Sequence, residues 1–154
     1  MRPGVDYIGV GIGGVAVDDQ GRVFLARRGP KAANERDMWE FPGGTLEYGE
    51  RMRDALVREF REEYGVTIEV GELLTVVDHL LDDEHQQWVA PAYLCRVIEG
   101  TPAICEPDEC VEIGWFTLET IPPDETLTLV TRENVKAYRE YVKQNGQLTP
   151  RTTS

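Results

Sequence analysis

No glycine or proline interrupts the run from Arg51 to Tyr64, RMRDALVREFREEY, and Gly65 follows it directly. Strong helix formers dominate the run, so it predicts a helix over about 51–64, ended by the residue that most readily takes the left-handed conformation of a helix C-cap. With side chains turning about 100° per residue, Met52, Leu56, Phe60 and Tyr64 line up as one apolar stripe. Such a stripe needs a facing layer. The extended runs on either side, YIGVGIGGVAV and VTIEVGELLTVVDHLL, read as strands that supply it, which makes the chain α/β. Glu59, Glu62 and Glu63 fall within roughly 100° of arc beside the stripe, at the rim of whatever it packs against. Like charges three and four residues apart repel by about 0.2–0.5 kcal/mol per pair, and a cation among them is the simplest remedy. All-oxygen ligation with no His or Cys nearby suits a hard ion, Mg²⁺ or Mn²⁺ ahead of Zn²⁺. Taken alone, E-x-x-E-E is also what a solvated acidic helix face looks like, so the surrounding residues have to decide.

Those residues are Gly44, Glu50, Arg58, Glu59, Glu62, Glu63 and Gly65, with Phe60 and Val66 at two apolar positions. Together they match G-x5-E-x7-R-E-U-x-E-E-x-G-U, where U is a bulky apolar residue, and in this the chain resembles the Nudix hydrolases. Trp39 to Gly43, WEFPG, is similar to the approach to this box in MutT-like members, and weaker resemblance runs from about Tyr7 to Tyr141. The resemblance implies an α/β/α sandwich around a mixed sheet, with a catalytic helix at about 51–64 and a C-terminal helix at about 128–145. It further implies that Glu59, Glu62, Glu63 and the carbonyl of Gly43 bind the divalent cations that engage a diphosphate. Glu50 and Arg58 then support the cluster, Arg58 holding Glu50. The base that takes the water's proton is left among Glu62, Glu63 and an acid from a later loop.

In chain order, Gly9, Gly11 and Gly14 spell a formal G-x-G-x-x-G. The dinucleotide fingerprint lies between a strand and a helix, whereas here a strand continues through DDQG into a second strand, RVFLARR. We therefore read two strands joined by the turn at Asp18 to Gly21, a connection short enough to require an antiparallel pair, with glycines that permit close approach of a backbone or ligand. Arg27 and Arg28 end the second strand; an arginine there is either a fork for a phosphate or base edge, or a surface cation. Resemblance to MutT-like enzymes places this strand end near the substrate and favours Arg27. At Gly43 and Gly44 a strand end passes into a glycine loop where bare backbone can face a ligand, so Gly44 is a second substrate-binding candidate.

Past the helix, two further strands flank DDEHQQ, and Pro91 implies an edge position or an irregularity in the second. His79 and His85 lack a spaced partner and read as turn or surface residues. The acid-rich ICEPDEC precedes a short strand through Trp115 and Phe116. MutT-like members place an extra acid in such a loop, and Glu109 is the first choice, with Glu106, Asp108 and Glu112 as rivals. Val135, Tyr138, Tyr141 and Val142 mark the last amphipathic helix. Residues 147–154 are expected to fray.

One domain over 1–154 suits this length. With 16 Lys and Arg against 28 Asp and Glu, the net charge disfavours a nucleic-acid polymer or anionic membrane and leaves room for a small nucleotide whose charge bound metal offsets. The start lacks a signal-like apolar core, no stretch is long enough to span a bilayer, and Cys95, Cys105 and Cys110 lack a framework or zinc spacing, all of which fits the cytoplasm. Oligomeric state is left open, a homodimer included. The substrate markers of ADP-ribose and dinucleoside polyphosphate hydrolases are missing where Leu80 to Asp83 stand. The resemblance therefore implies (deoxy)nucleoside triphosphate cleavage to monophosphate and pyrophosphate, oxidised nucleotides included. ADP-ribose or dinucleoside polyphosphate hydrolysis, and a sensor whose box binds without cleaving, are the alternatives. Tyr7, Trp88 and Phe116 are open both as base-stacking and as core aromatics.

Overall fold

The structure, a computed structural model, describes residues 1–146, so the expected fraying of 147–154 lies outside the described residues. Seven strands and two α-helices follow in order: β1 (Gly9–Ala16), β2 (Val23–Arg28), β3 (Trp39–Glu40), β4 (Gly43–Thr45), α1 (Met52–Tyr64), β5 (Thr67–Leu81), β6 (Gln86–Glu99), β7 (Cys110–Phe116) and α2 (Leu129–Asn145). The strands form a four-stranded sheet in the order β4-β1-β6-β5 and a three-stranded sheet in the order β3-β2-β7. β1 runs parallel to β6 and antiparallel to β4, which makes the larger sheet mixed, as expected.

Helix α1 lies on one side of the larger sheet and α2 on the other. Alternation along β1 shows why: Ile12 and Ala16 join the core with Leu56, Phe60 and Tyr64 of α1, whereas Val15 and Val17 join the core with Val135 and Tyr138 of α2. Leu56 and Phe60 are fully buried, each worth about 1.5–3 kcal/mol in apolar burial. Met52, at the start of the expected stripe, stays exposed, and Ala55 is buried with the other three. Gly65 ends α1 at φ 70°, its N–H donating to the carbonyl of Arg61. Thr128 caps α2, its hydroxyl accepting from the N–H of Thr131.

One expectation is corrected. The first two strands do not pair as a hairpin. They touch at a single bridge, Val17 to Val23, and then diverge, β1 into the larger sheet and β2 into the smaller, because each finds longer partners elsewhere. Of the two readings of Pro91, the irregularity is the one found: β6 lies inside the larger sheet, between β1 and β5. The proline sits where the β1–β6 pairing lapses, between Val10–Val89 and Gly13–Ala92, so its missing N–H costs no ladder bond there.

Candidate active site

A cavity of about 380 Å³ runs from the C-terminal half of α1, past β4, to the first turns of α2. At its acidic end the i, i+4 spacing on α1 brings Glu59 and Glu63 together, with the Glu63 carboxyl donating a hydrogen bond to Glu59. Gly44 is what lets Glu59 lie there: a Cβ at Gly44 would fall 2.2 Å from the Glu59 carboxyl carbon. Burial, with the Glu59 charge beside it, pushes the Glu63 carboxyl well above the usual carboxylate range. Burial also raises Glu59, against the pull of its hydrogen bond to Glu63 and of Arg58.

Arg58 organises the outer side of this cluster. It donates to both oxygens of Glu50, through Nε at 2.7 Å and Nη2 at 2.8 Å, and through Nη1 to Glu59 at 3.0 Å and Glu62 at 3.2 Å. Those two bonds hold the Glu50 carboxyl below the usual range. Glu62 does not line the cavity; its side chain is 53% exposed and turned to Arg58. The four candidate acids around the start of β7 divide into two inward and two outward, Glu112 lying on the strand itself. Glu106 and Glu109 line the cavity, whereas Asp108 pairs with Lys31 and Glu112 with Arg27.

Successive side chains on β2 point to opposite faces, so it is Arg28 and not Arg27 that lines the cavity. Arg27 is held at the surface by Asp37 and Glu112. Arg28 donates to Glu40 at 2.7 Å. Burial raises the Glu40 carboxyl, and Arg28 only partly offsets it.

Residues 29–38 roof the other end. Arg28 donates to the carbonyl of Asn34, and Asn34 donates through Nδ2 to Gln86 at 2.9 Å, which also accepts from the Trp88 indole at 3.1 Å. Glu35, in the left-handed region at φ 41°, accepts from the N–H of Leu129 at the start of α2. Its other oxygen stands 3.1 Å from Nε2 of His79. Burial alone would raise the Glu35 carboxyl; His79 and that N–H outweigh it and hold it low. His79 is thus a correction: it is buried on β5, not a turn or surface residue, because the strand's alternation carries Val77 and His79 inward together. His85 does sit in a turn, at φ 51°. Of the three open aromatics, Trp88 lines the cavity, Phe116 packs edge-on against Trp39, and Tyr7 is exposed. Strand alternation puts His79 on one face with Val77 and Arg28 opposite Arg27 without saying which face turns inward; nothing local in the sequence marks Asn34 or Glu35.

The donor set of the acidic end suits a hard divalent cation. Two carboxyl groups in contact on α1, with Glu106 and Glu40 adding negative charge beside Glu63, form a site where a cation would offset the crowded charge. As the side chains stand, no three His, Cys, Asp or Glu groups converge as ligands among the described residues. Among the described residues no helix is long and apolar enough to cross a membrane.

Comparison with known proteins agrees with this arrangement. The chain is 42% identical over 72 residues to an 8-oxo-dGTP diphosphatase of Proteus vulgaris, a match covering 47% of this chain and 63% of that protein. It is 45% identical over 56 residues to a CTP pyrophosphohydrolase of Escherichia coli (strain K12), covering 36% of this chain and 41% of that one. The chain thus spans less than two thirds of either relative. A crystal structure of a MutT NUDIX hydrolase from Burkholderia pseudomallei superposes with a TM-score of 0.78 at 38% identity, covering 86% of this chain and 98% of that one. The NUDIX domain family matches residues 8–139, and the box, the α/β/α layering and the cavity over the box helix concur with it: the chain belongs to the NUDIX family.

Proposed function

We propose that this protein is a divalent-cation-dependent pyrophosphohydrolase that cleaves a (deoxy)nucleoside triphosphate to the monophosphate and pyrophosphate. The observation that carries the reading is the partly buried Glu59–Glu63 pair beside the glycine backbone of Gly43 and Gly44 at one end of a cavity of about 380 Å³. The relatives named for 8-oxo-dGTP and for CTP support the triphosphate class and leave the base undetermined. We place the reaction in the cytoplasm, in keeping with three free cysteines.

Glu59 and Glu63, with Glu62 at the rim and the Gly43 carbonyl, would hold Mg²⁺ or Mn²⁺. When bound, such a cation supplies neutralisation of the diphosphate charge and a more acidic water. The chain's own part is positional. Arg58 fixes Glu50 and Glu59, so the carboxylates reach the substrate with little reorganisation. Attack of a water oxygen on phosphorus breaks the anhydride bond, pyrophosphate leaves with the bond's electrons, and a carboxylate takes the water's proton. Glu63, Glu106 and Glu109, which line the cavity, are the bases in reach, with Glu62 behind them.

The test is a substrate panel of nucleoside triphosphates, oxidised dGTP, ADP-ribose and dinucleoside polyphosphates, with Mg²⁺ and with excess EDTA, phosphate and pyrophosphate being measured separately. Pyrophosphate release that EDTA abolishes is expected. A tenfold preference for ADP-ribose in kcat/KM, about 1.4 kcal/mol, overturns the substrate class. Binding without turnover of any substrate makes the protein a sensor.

A further inference from the structure

The segment that carries Glu106 and Glu109 is tied at both ends, and to two different parts of the molecule. At its start the N–H of Ala103 donates to the carbonyl of Tyr64 at 3.1 Å, and the N–H of Cys105 to the carbonyl of Glu63 at 3.0 Å. Both carbonyls lie in the last turn of α1, where they have no partner within the helix, so the segment completes the end of the box helix. At its far end the carbonyls of Asp108 and Glu109 accept from the N–H groups of Lys31 at 3.1 Å and Gly29 at 2.8 Å, at the start of the roof. Between these anchors the turn closes on itself, the N–H groups of Glu109 and Cys110 both donating to the carbonyl of Glu106 at 3.0 Å. Residues 103–110 are therefore a strap from the box helix to the roof, with its two inward acids at fixed points along it.

Gly29 is the seat of this strap. It is buried, and a Cβ there would fall 2.5 Å from the Asp108 carbonyl oxygen, 2.9 Å from the Asp108 carbonyl carbon and 3.0 Å from that of Glu109. All three atoms are backbone, so a side chain at this position has to lift the strap. The Lys31–Asp108 ion pair, at 3.2 Å with side chains 70% and 67% exposed, is too solvated to hold the strap down in its place. We propose that Gly29 is a positioning residue: by letting the roof and the strap meet backbone to backbone, it holds Glu106 and Glu109 over the cavity in fixed register with Glu63 on the box helix. The charge of Glu106 is felt at Glu63 and that of Glu109 at Arg28 and Glu40, so the strap sets one acid toward α1 and the other toward β2 and β3. An acid on an untied loop would have to be ordered at every turnover, whereas here that ordering is done by the fold. The chemistry these acids perform rests on the hydrolase reading above.

The experiment reads kcat, KM and amide hydrogen exchange in Gly29→Ala, with the Tm in EDTA as the check on folding. Gly29 is not in the left-handed region, so the backbone itself accepts alanine. With Mg²⁺ and the preferred triphosphate, kcat is expected to fall by at least about tenfold with KM within about threefold, because the roof's bonds at Asn34 and Glu35 are untouched. In EDTA and without substrate, the Lys31, Glu109 and Cys110 amides are expected to exchange at least about tenfold faster than in the parent. Glu106→Gln and Glu109→Gln are then each made with and without Gly29→Ala. In the background that lacks the acid the strap presents to the water, Gly29→Ala is expected to cost less than about threefold more, a non-additivity that a general loss of stability does not produce. Ala103→Pro, which deletes the N–H bonded to Tyr64, unties the strap at its other end and carries the same expectations for kcat and KM should Gly29→Ala be unstable. A folded variant with kcat within about threefold of the parent, unchanged exchange, or a full loss of about tenfold persisting in both acid-lacking backgrounds overturns the proposal. A parent that turns over no triphosphate refutes the hydrolase reading instead, and the exchange measurement still decides whether Gly29 seats the strap.

Discussion

Gly44→Ala isolates the role of Glu59 without touching a charge. The added methyl carbon would lie 2.2 Å from the Glu59 carboxyl carbon and 2.4 and 2.6 Å from its two oxygens. Carbon atoms in good contact stand about 3.5–4.0 Å apart, so the carboxylate has to retreat by roughly 1 Å or more. It can do so, because it is the far end of a flexible side chain. The fold is expected to survive. Gly44 is not in the left-handed region, and alanine there gains about 0.4–1 kcal/mol by stiffening the unfolded chain, against a weakened Arg58–Glu59 contact of similar size. A displacement of about 1 Å in a group that positions the reaction costs on the order of a hundredfold, about 2.7 kcal/mol of transition-state stabilisation. The assay is kcat for the preferred triphosphate at saturating Mg²⁺, beside the Tm measured in EDTA. Gly43→Ala is the contrast, because its Cβ would strike the Ile12 carbonyl at 1.8 Å, backbone that cannot step aside, and so both Tm and kcat are expected to fall. Activity within about threefold of the parent in Gly44→Ala, or a Tm loss as large as that of Gly43→Ala, would refute the assignment of Glu59 to the chemistry.

Four further outcomes follow from the same geometry. Glu63→Gln is expected to lower kcat by at least about a hundredfold, since glutamine keeps the shape and loses the charge and basicity. The Glu63 carboxyl is raised above its ordinary value of 4.5, so its contribution to metal-free stability is present below that value and lost as pH rises toward the folded-state pKa. In EDTA the parent is therefore expected to lose more Tm than Glu63→Gln between about pH 5 and pH 8, and an equal loss in both counts against a raised Glu63. Arg58→Lys, which cannot grip both oxygens of Glu50, is expected to lose at least about tenfold in kcat, and unchanged kinetics would mean that the paired grip on Glu50 is dispensable. Glu35→Ala frees the roof from Leu129 and His79; a rise in KM of about fivefold or more with kcat within about twofold is expected, and the reverse split would place Glu35 in the chemistry instead.

What the sequence made legible and what it hid divide along a physical line. Helix α1 could be read to within a residue because its signals are local: uninterrupted helix formers, a 3.6-residue stripe and a glycine at the stop. The Glu59–Glu63 pair came with it, since i, i+4 neighbours on a helix meet whatever the rest of the chain does. The roof could not be read, because Glu35 and His79 lie far apart in the chain and meet only when β5 is laid into the sheet. The same holds for the divergence of β1 and β2, where a short turn suggested a hairpin and competition for longer partners broke it. Arg27 and Arg28 are the instructive middle case. A strand places neighbours on opposite faces, so an error of one residue moves a guanidinium from the cavity to the surface. Which face turns inward depends on where β7 docks against β2, and that is tertiary information. Position along a helix can therefore be argued from the chain alone, whereas the face of a strand can be argued only once its partners are known. Trp88, His79 and Asn34, which line the end of the cavity away from the box, come from strands and the loops those strands pin, which is why the box can be read from the chain before that end can.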